Sequence, residues 1–195
     1  MNNTVILLLT GGESKRFHSD KLVAELNSKR LIDHVIGTII QSNLASKCYE
    51  VGRNYSDFHQ IPKTIVNDPL TAIGIAWSYL KSISTITPKN ALVLAGDTFN
   101  LTTEIVDFLY WFPGDFNVVP DDGHLQPLCA RWSSMSLESA AKNHLARRNQ
   151  RVRSALIGPT LTLYDTRWSL GQKGSPFEDI DTVEDLERLR GSSDK

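Results

Sequence analysis

The sequence predicts a single α/β domain in which helices cover both faces of a mostly parallel sheet, a three-layer α/β/α sandwich. Short apolar runs alternate with segments whose apolar residues recur at helical spacing, which is typical of stacked β-α units. The first run, Val5 to Leu9, is unbroken, as expected of a parallel strand buried on both faces. The chain has 195 residues, enough for one domain with a substantial core. We therefore predict one domain at residues 1–190 and a polar tail at 191–195.

The individual elements follow from the same patterns. Strands are predicted at Thr4 to Leu9, Lys47 to Val51, Lys63 to Val66, Ala91 to Ala95, Phe116 to Val119, Leu125 to Arg131 and Thr160 to Tyr164. Helices are predicted at Leu31 to Ile40, Ala72 to Ile83, Glu104 to Trp111 and Leu137 to Arg148. A last helix is predicted after Thr182, because Thr182 and Asp185 form a capping-box pattern ahead of Leu186 and Leu189.

A glycine-rich segment directly follows the first strand. Residues 9–21 read L-T-G-G-E-S-K-R-F-H-S-D-K, and we call them the glycine loop. Gly11 and Gly12 allow main-chain N–H groups to approach an anion closely, and Lys15, Arg16 and Lys21 supply positive charge. The spacing is neither that of a Walker loop nor that of the dinucleotide fingerprint. The loop therefore predicts a phosphate site of a different nucleotide fold, at the sheet edge where open α/β sheets bind ligands. The alternative is a tight turn with solvated basic side chains.

A carboxylate ends a second apolar run. Asp97 follows Gly96 and the predicted strand Ala91 to Ala95, so it is expected to point into the ligand crevice. Proteins hold nucleotide-bound Mg²⁺ with one or two carboxylates. Asp97 is therefore the strongest candidate metal ligand, and its alternative role is a cap for the following helix.

Two further carboxylates precede the last predicted helix. Asp179 and Asp181 are two residues apart, so in an extended chain both could point toward the same metal. One of them is expected to complete the Mg²⁺ shell. Glu184 and Asp185 are interpreted instead as an acidic helix start, which the helix dipole favours.

The glycine loop resembles the signature loop of nucleotidyltransferases of the MobA-like type, the molybdenum cofactor guanylyltransferases. That loop reads L-A-G-G-x-S-x-R-M-G-x-D-K, and Phe17 and His18 replace its Met-Gly pair here. Asp97 resembles the Mg²⁺-binding Asp of the family's C-D-x-P motif. Asp179 and Asp181 stand at the two Asn positions of a segment that is similar to the family's N-x-N-T-P-E-D-L ending.

Shorter segments extend the resemblance over nearly the whole chain. Asp68 matches the Asp that the family has after the strand that ends at Val66 here, and P-L at residues 69–70 matches part of its nucleotide-contacting G-P-L-x-G-I segment. The linker between them is absent, so Asp68 stands where the first glycine would be, and Ala72 replaces the second glycine. Q-P-L at 126–128 and the segment 151–156 resemble the family's Q-P-L strand and its R-S-x-x-x-L segment on the acceptor side. The lost glycines change how closely a base approaches the backbone, so they bear on the choice between GTP and CTP.

The resemblance implies a Rossmann-like, nucleotide-diphospho-sugar transferase-like fold. It also implies Mg²⁺-dependent transfer of GMP from GTP to molybdopterin that carries molybdenum, with release of pyrophosphate. Arg16, Lys21 and Asp97 are then expected to act in catalysis, and Asp97, with Asp181 or Asp179, to hold Mg²⁺. The residues expected to bind the nucleotide are Leu9, Thr10, Gly11, Gly12, Ser14, Lys21 and Asp68.

Two alternatives stay open at this point. The first is a related nucleotidyltransferase that uses CTP or another phosphorylated acceptor. The second is a non-catalytic nucleotide-binding or accessory protein, which the Phe17-His18 pair and the absent linker motivate. Nucleotide binding without pyrophosphate release would favour the second.

The composition argues against two classes of partner. Lys and Arg number 21 against 22 for Asp and Glu, so no basic excess suggests nucleic acid. No apolar run approaches membrane-spanning length, and the first residues lack a signal-peptide pattern. Cys48 and Cys129 are the only cysteines and have no metal-ligand spacing. We therefore expect a cytoplasmic enzyme that acts on small molecules, with no nucleic-acid or membrane partner.

Overall fold

The computed structural model describes residues 3–12, 17, 20–62, 66, 68–83, 88–145, 151–164, 175–178 and 180–192. Within them the strands are β1 (Thr4–Thr10), β2 (Glu25–Leu26), β3 (Lys29–Arg30), β4 (Cys48–Gly52), β5 (His59–Gln60), β6 (Asn90–Ala95), β7 (Asn117–Asp121), β8 (Cys129–Ser133) and β9 (Thr160–Tyr164). The α-helices are α1 (Leu31–Gln41), α2 (Pro69–Ile83), α3 (Thr103–Trp111), α4 (Ser134–Leu145) and α5 (Val183–Ser192). None of these described helices has the length and apolar character that crossing a membrane requires.

Seven of the described strands form one sheet, in the order β5-β4-β1-β6-β8-β7-β9. β8 runs antiparallel to β6 and β7, and the other neighbouring pairs are parallel. β2 and β3 pair separately as a small antiparallel ribbon. The predicted α/β fold with a mostly parallel sheet is confirmed.

β1 occupies the middle of the sheet and is buried along its whole length. Its side chains at Val5, Leu7 and Leu9 pack into the core shared with α2 and α4, whereas Ile6 and Leu8 pack into the core shared with α1 and α3. Successive side chains of a strand point to opposite faces, so one unbroken apolar run supplies both cores. This double burial produces the three layers.

Two helices pack unusually closely on one face of the sheet. A Cβ atom on Gly74 of α2 would lie only 2.6 Å from the carbonyl oxygen of Ala140 in α4, so glycine is what permits this approach. Nearby, the fully buried indole of Trp77 donates to a carboxylate oxygen of Glu138 at 3.1 Å. The close approach and this hydrogen bond hold α2 and α4 together as one layer on this face of the sheet.

The predicted strand from Leu125 to Arg131 is wrong in its first half. β8 begins at Cys129, and Leu125 forms an isolated bridge to Asp121. Pro127 has no N–H to donate to a sheet ladder, and the chain turns around it, with the Cys129 amide donating to the Gln126 carbonyl at 3.0 Å. The helix that follows correspondingly begins at Ser134, ahead of the predicted start.

Two other predicted segments fall partly outside the described residues. These are residues 63–65 of the predicted third strand and residues 146–148 at the end of the predicted fourth helix. The edge of the described sheet next to β4 is formed by the two residues of β5, which the sequence did not predict.

The predicted capping box at the start of α5 is confirmed. The Asp185 amide donates to the Thr182 hydroxyl at 3.1 Å, and the Thr182 amide donates to the Asp185 carboxylate at 3.0 Å. Leu186 then packs with Phe17 and Leu31 in a third apolar cluster. α5 continues through Ser192, past the predicted domain end, and the domain bounds stay a prediction.

Candidate active site

The carboxyl ends of β4, β1 and β6 meet at one edge of the sheet. From β1 the chain proceeds to β4 on one side, while β6 lies on the other side of β1 and leads to β7 and β8 beyond it. Such a reversal of strand order opens a crevice in which open α/β sheets bind ligands. A cavity of about 450 Å³ lies there, within the size range of small-molecule sites.

The start of the glycine loop forms one wall of this cavity. Leu9, Gly11 and Gly12 line it. A Cβ on Gly11 would lie 3.0 Å from the carbonyl oxygen of Val66, and Gly12 has a φ of 125°, which side chains disfavour. Thr10 is buried instead, and its hydroxyl donates to the Arg53 carbonyl at 2.6 Å, so it ties β1 to the segment after β4.

Lys21 lies at the centre of the polar groups of the cavity. Its Nζ is 2.5 Å from Oδ2 of Asp97 and 3.4 Å from Oδ1 of Asp181, and it donates to the Ile180 carbonyl at 3.2 Å. Burial by itself lowers the pKa of Lys21, but the charges and hydrogen bonds of Asp97 and Asp181 outweigh it, and the pKa is raised. The lysine is therefore a fixed positive charge at a partly buried position in the cavity.

Asp97 lies where the sequence predicts it, in the turn after β6. The next helix, α3, begins six residues later and has Thr102 as its N-cap residue, so Asp97 does not cap it. The Gly96 amide donates to the Leu9 carbonyl at 3.0 Å, which holds the turn against β1. The Asp97 side chain is 15% exposed and lines the cavity.

Asp97 and Asp181 together form a pair of oxygen donors suited to a hard divalent cation. Both carboxylates face one cationic atom, Nζ of Lys21, which shows that a positive charge is accommodated between them. The Asp181 side chain is the more open of the two, with 53% exposed. Among the described residues no group of three or more His, Cys, Asp or Glu side chains could hold a metal. Of the described residues, Asp97 and Asp181 would thus supply the carboxylates for a cation here, and Mg²⁺ usually takes further ligands from water and substrate phosphates.

Asp68 caps α2. Its Oδ2 accepts from the Thr71 amide at 2.7 Å, and Pro69 follows at the first helical position, where proline is favoured. The cavity is lined by the neighbours Val66, Pro69 and Ala72. Asp68 is exposed beside this wall, and its predicted contact with a nucleoside stays a prediction.

Several predicted residues lie outside the described residues. They are Ser14 and Arg16 of the glycine loop, and Asp179. Phe17, by contrast, is buried in the cluster with Leu31 and Leu186. Phe17, which stands where the family's loop has Met, is therefore an apolar packing residue in this protein.

Asp20, Arg53 and Tyr55 form a polar cluster that the sequence reasoning missed. Asp20 and Arg53 line the cavity, and Nη1 of Arg53 is 2.9 Å from Oδ2 of Asp20. The Tyr55 hydroxyl donates to the same oxygen. Burial, and next the hydrogen bond to Asp20, raise the pKa of Tyr55 to about 12. The one available signal was that Arg53 follows a predicted strand at the same edge as Asp97.

One of the two predicted acceptor-side motifs, Q-P-L at 126–128, reaches the cavity. The side-chain amide of Gln126 donates to Asp122 at 2.9 Å, and the Ser175 hydroxyl donates to the other oxygen of that carboxylate. Leu128 lines the cavity. The segment at 151–156 forms a short 3-10 helix and contributes no described residue to the lining.

Comparison with known proteins agrees with this geometry. The sequence model of the MobA-like NTP transferase domain matches residues 6–159. The chain belongs to the MobA-like NTP transferase family. It is accordingly a nucleotidyltransferase, which confirms the prediction of an enzyme and of this family.

Relatives of this MobA-like chain include both sequences and solved structures. A probable molybdenum cofactor guanylyltransferase of Pyrococcus horikoshii is 30% identical over 139 residues, which are 66% of this chain and 69% of the relative. Molybdopterin-guanine dinucleotide biosynthesis protein A from Archaeoglobus fulgidus superposes with a TM-score of 0.73 at 18% identity, covering 97% of this chain and 98% of that one. Rv0371C from Mycobacterium tuberculosis, solved in complex with manganese, has a TM-score of 0.60 at 13% identity, covering 97% and 98%. These two structures share the fold.

Proposed function

We propose that this MobA-like enzyme transfers GMP from GTP to a phosphate of molybdopterin that carries molybdenum, with Mg²⁺ and with release of pyrophosphate. The observation that carries the proposal is the convergence of Lys21, Asp97 and Asp181 beside the main chain of Gly11 and Gly12 in one cavity. The name of the Pyrococcus horikoshii relative supports guanine and this acceptor. The manganese in the Mycobacterium tuberculosis structure supports a divalent cation.

The reaction is an in-line substitution at phosphorus. An oxygen of the acceptor phosphate attacks the α-phosphorus of GTP and forms a new P–O bond. The bond from the α-phosphorus to the oxygen that bridges to the β-phosphate breaks, and its electrons leave with pyrophosphate. Such transfer depends on positioning and on neutralising charge, so no protein nucleophile is needed.

Each residue of the cavity has a role in this scheme. Main-chain N–H groups at Gly11 and Gly12 hold phosphate oxygens. Lys21 neutralises the triphosphate and then the leaving pyrophosphate, a task for which a permanently protonated amine is suited. Mg²⁺ held by Asp97 and Asp181 would supply further charge neutralisation when bound.

Other predicted residues complete the proposal without a described geometry. Arg16 and Ser14 are proposed to contact the triphosphate from the glycine loop, and Asp179 to serve the cation if Asp181 does not. Asp68 is proposed to contact the nucleoside from the start of α2. Residues 1–190 are proposed to be one nucleotidyltransferase domain. A reducing cytoplasm is proposed as its location, in keeping with the buried side chains of Cys48 and Cys129, neither of which forms a disulfide among the described residues. No nucleic-acid or membrane partner is proposed.

The decisive experiment measures pyrophosphate release with Mg²⁺ and molybdenum-loaded molybdopterin, for GTP, CTP, ATP and UTP in parallel. We expect release with GTP that chelation of the metal abolishes. Faster release with CTP would identify a related cytidylyltransferase and overturn the guanine assignment. GTP turnover with a different phosphorylated acceptor would overturn the molybdopterin assignment alone.

Asp97→Asn provides the matched test of the site. It keeps the shape of the side chain and removes the charge that faces Lys21. Asp33→Asn is its control, because Asp33 of α1 pairs with Arg30 and does not line the cavity. Unchanged pyrophosphate release by Asp97→Asn would reject this cavity as the catalytic site.

A further inference from the structure

We infer that Arg53 reads the nucleobase, by donating hydrogen bonds to the O6 and N7 acceptors of guanine. The inference rests on the proposed function, because it assigns the base-specificity determinant of that same cavity. Among the described residues that line the cavity, the cationic side chains are Lys21 and Arg53. Lys21 is paired with Asp97 and Asp181, whereas Arg53 is paired with Asp20.

The order of the strands separates Arg53 from Asp97. Arg53 follows β4 and Asp97 follows β6, and β1 lies between them. Two strand spacings are about 10 Å, so the main chain at Arg53 lies about that far from the main chain at Asp97, where the metal-bound phosphates are proposed to sit. The lining beside Arg53 is apolar, since Val51 lies two residues before it and the carbonyl of Val66 lies next to Gly11, against which Gly52 packs. A planar base fits that surface better than a charged phosphate does.

Arg53 is held in place from both its backbone and its side chain. Its carbonyl accepts from the Thr10 hydroxyl at 2.6 Å, and Gly52 before it has a φ of 136° and packs on the backbone of Gly11. Its guanidinium is anchored by Asp20, whose carboxylate is itself fixed by the Tyr55 hydroxyl. The Asp20 carboxylate also accepts from the Leu22 amide at 3.1 Å, so one carboxylate positions both Arg53 and the turn that carries Lys21.

The chemistry of the guanidinium matches guanine better than adenine. A guanidinium has five N–H donors, more than one carboxylate oxygen engages, and the Arg53 side chain is 37% exposed at the cavity. Guanine presents two adjacent acceptors, O6 and N7, to such a fork, whereas adenine presents an amino donor at the position of O6. A lysine in the same place keeps the charge and the pair with Asp20 but loses the fork.

Arg53→Lys and Arg53→Ala test the inference, with Arg30→Lys as the matched control. Arg30 is also an arginine paired with an aspartate, its side chain is 41% exposed, and it does not line the cavity. Dissociation constants are measured by calorimetry with Mg²⁺ for GTP, ITP and ATP, since ITP keeps O6 and N7 but lacks the 2-amino group. Thermal melts of each variant report whether it is folded.

We expect Arg53→Lys to weaken GTP and ITP about tenfold or more while ATP binding stays unchanged. Arg30→Lys should leave all three constants unchanged. An equal loss for all three nucleotides in Arg53→Lys would assign Arg53 to phosphate or to folding and overturn the inference. Undiminished GTP selectivity in both Arg53 variants would also overturn it, while leaving the proposed function intact. A wild-type protein without preference for GTP would instead overturn the proposed function, and the inference with it.

Discussion

Two cationic side chains at opposite ends of the strands, Lys21 and Arg131, differ in how their surroundings shift the pKa of the charged group. Lys21, at the carboxyl edge, lies between two carboxylates in an open cavity, and its pKa is raised. Arg131, on β8, is 1% exposed near the other edge, where burial lowers its pKa against the opposing charge of Asp115. One cation is stabilised where a ligand can reach it, and the other is enclosed.

The hydrogen bonding of Arg131 differs from that of Lys21 in the same way. Nη2 of Arg131 donates to the Gly114 carbonyl at 2.8 Å, but its Nε and Nη1 are buried without a partner among the described residues. A buried and incompletely satisfied charge is costly for folding. The surroundings of Lys21 are those expected of a residue that binds a ligand, and those of Arg131 are expected of a residue with a structural role.

Removal of Lys21 should produce the largest effect. Lys21→Met keeps the length of the side chain but leaves the charge of the triphosphate and pyrophosphate without its amine, so pyrophosphate release should fall about 10²- to 10³-fold. Lys81→Met is the matched control, because Lys81 lies 2.5 Å from Glu138 on the α2 and α4 face and outside the cavity. Equal activities of the two variants would show that Lys21 has no role in catalysis.

The two carboxylates around Lys21 should differ from one another. Asp97→Asn should lower the rate about 10²-fold and Asp181→Asn about tenfold, because charges act more strongly where water is excluded and Asp181 is much the more exposed. Rates measured over a series of Mg²⁺ concentrations separate weaker metal binding from slower chemistry. A larger loss in Asp181→Asn would make Asp181 the principal ligand.

Arg131 should tolerate loss of its charge. Arg131→Met should change the free energy of unfolding by less than about 1 kcal/mol, or raise it, because an apolar side chain of similar volume avoids burying the charge. Asp115 keeps its bonds to the amide and hydroxyl of Ser134. Urea unfolding measures the effect, and Arg131→Ala, which leaves a cavity, should cost about 2–4 kcal/mol. A loss above about 3 kcal/mol in Arg131→Met would show that the buried charge itself stabilises the fold.

The smallest expected effect concerns Tyr55, beside the third cation, Arg53. The pKa of Tyr55 is raised from 10.0 to about 12, by burial and then by its bond to Asp20. Its stabilising contribution is thus complete below pH 10 and is lost as the pH rises through 12. The free energy of unfolding should fall more steeply from pH 10 to 12 in the wild type than in Tyr55→Phe. Parallel curves would mean that the phenol is not held in this way.

The sequence predicted the structure best where a pattern of residues has a single physical explanation. The unbroken run of β1 predicts a doubly buried strand, and Asp97 at the end of an apolar run is expected at the cavity on topology alone. Pro127 shows the limit of such patterns, because the apolar residues around it suggest a strand that its missing N–H interrupts. Phe17 was a departure in a motif, and packing with Leu186 explains it.

The rest of the cavity depends on contacts that no local pattern contains. Lys21 meets Asp181 across 160 residues of chain, so their proximity follows from the resemblance and not from spacing. Arg53 can be recognised as a candidate site residue only once the structure shows that β4 lies beside β1 and that Asp20 pairs with Arg53. Pairwise side-chain geometry of this kind requires the packed structure.

The late position of Ile180 and Asp181 also has a consequence for the order of events during synthesis. β1, β4 and β6 all precede residue 100, so this part of the sheet can pair while later residues are still being added. Two of the partners that hold Lys21, Ile180 and Asp181, arrive some 160 positions after it, together with the helix that packs on Phe17. A nascent chain would therefore have a formed sheet edge before it has a complete cavity, and binding competence would come last.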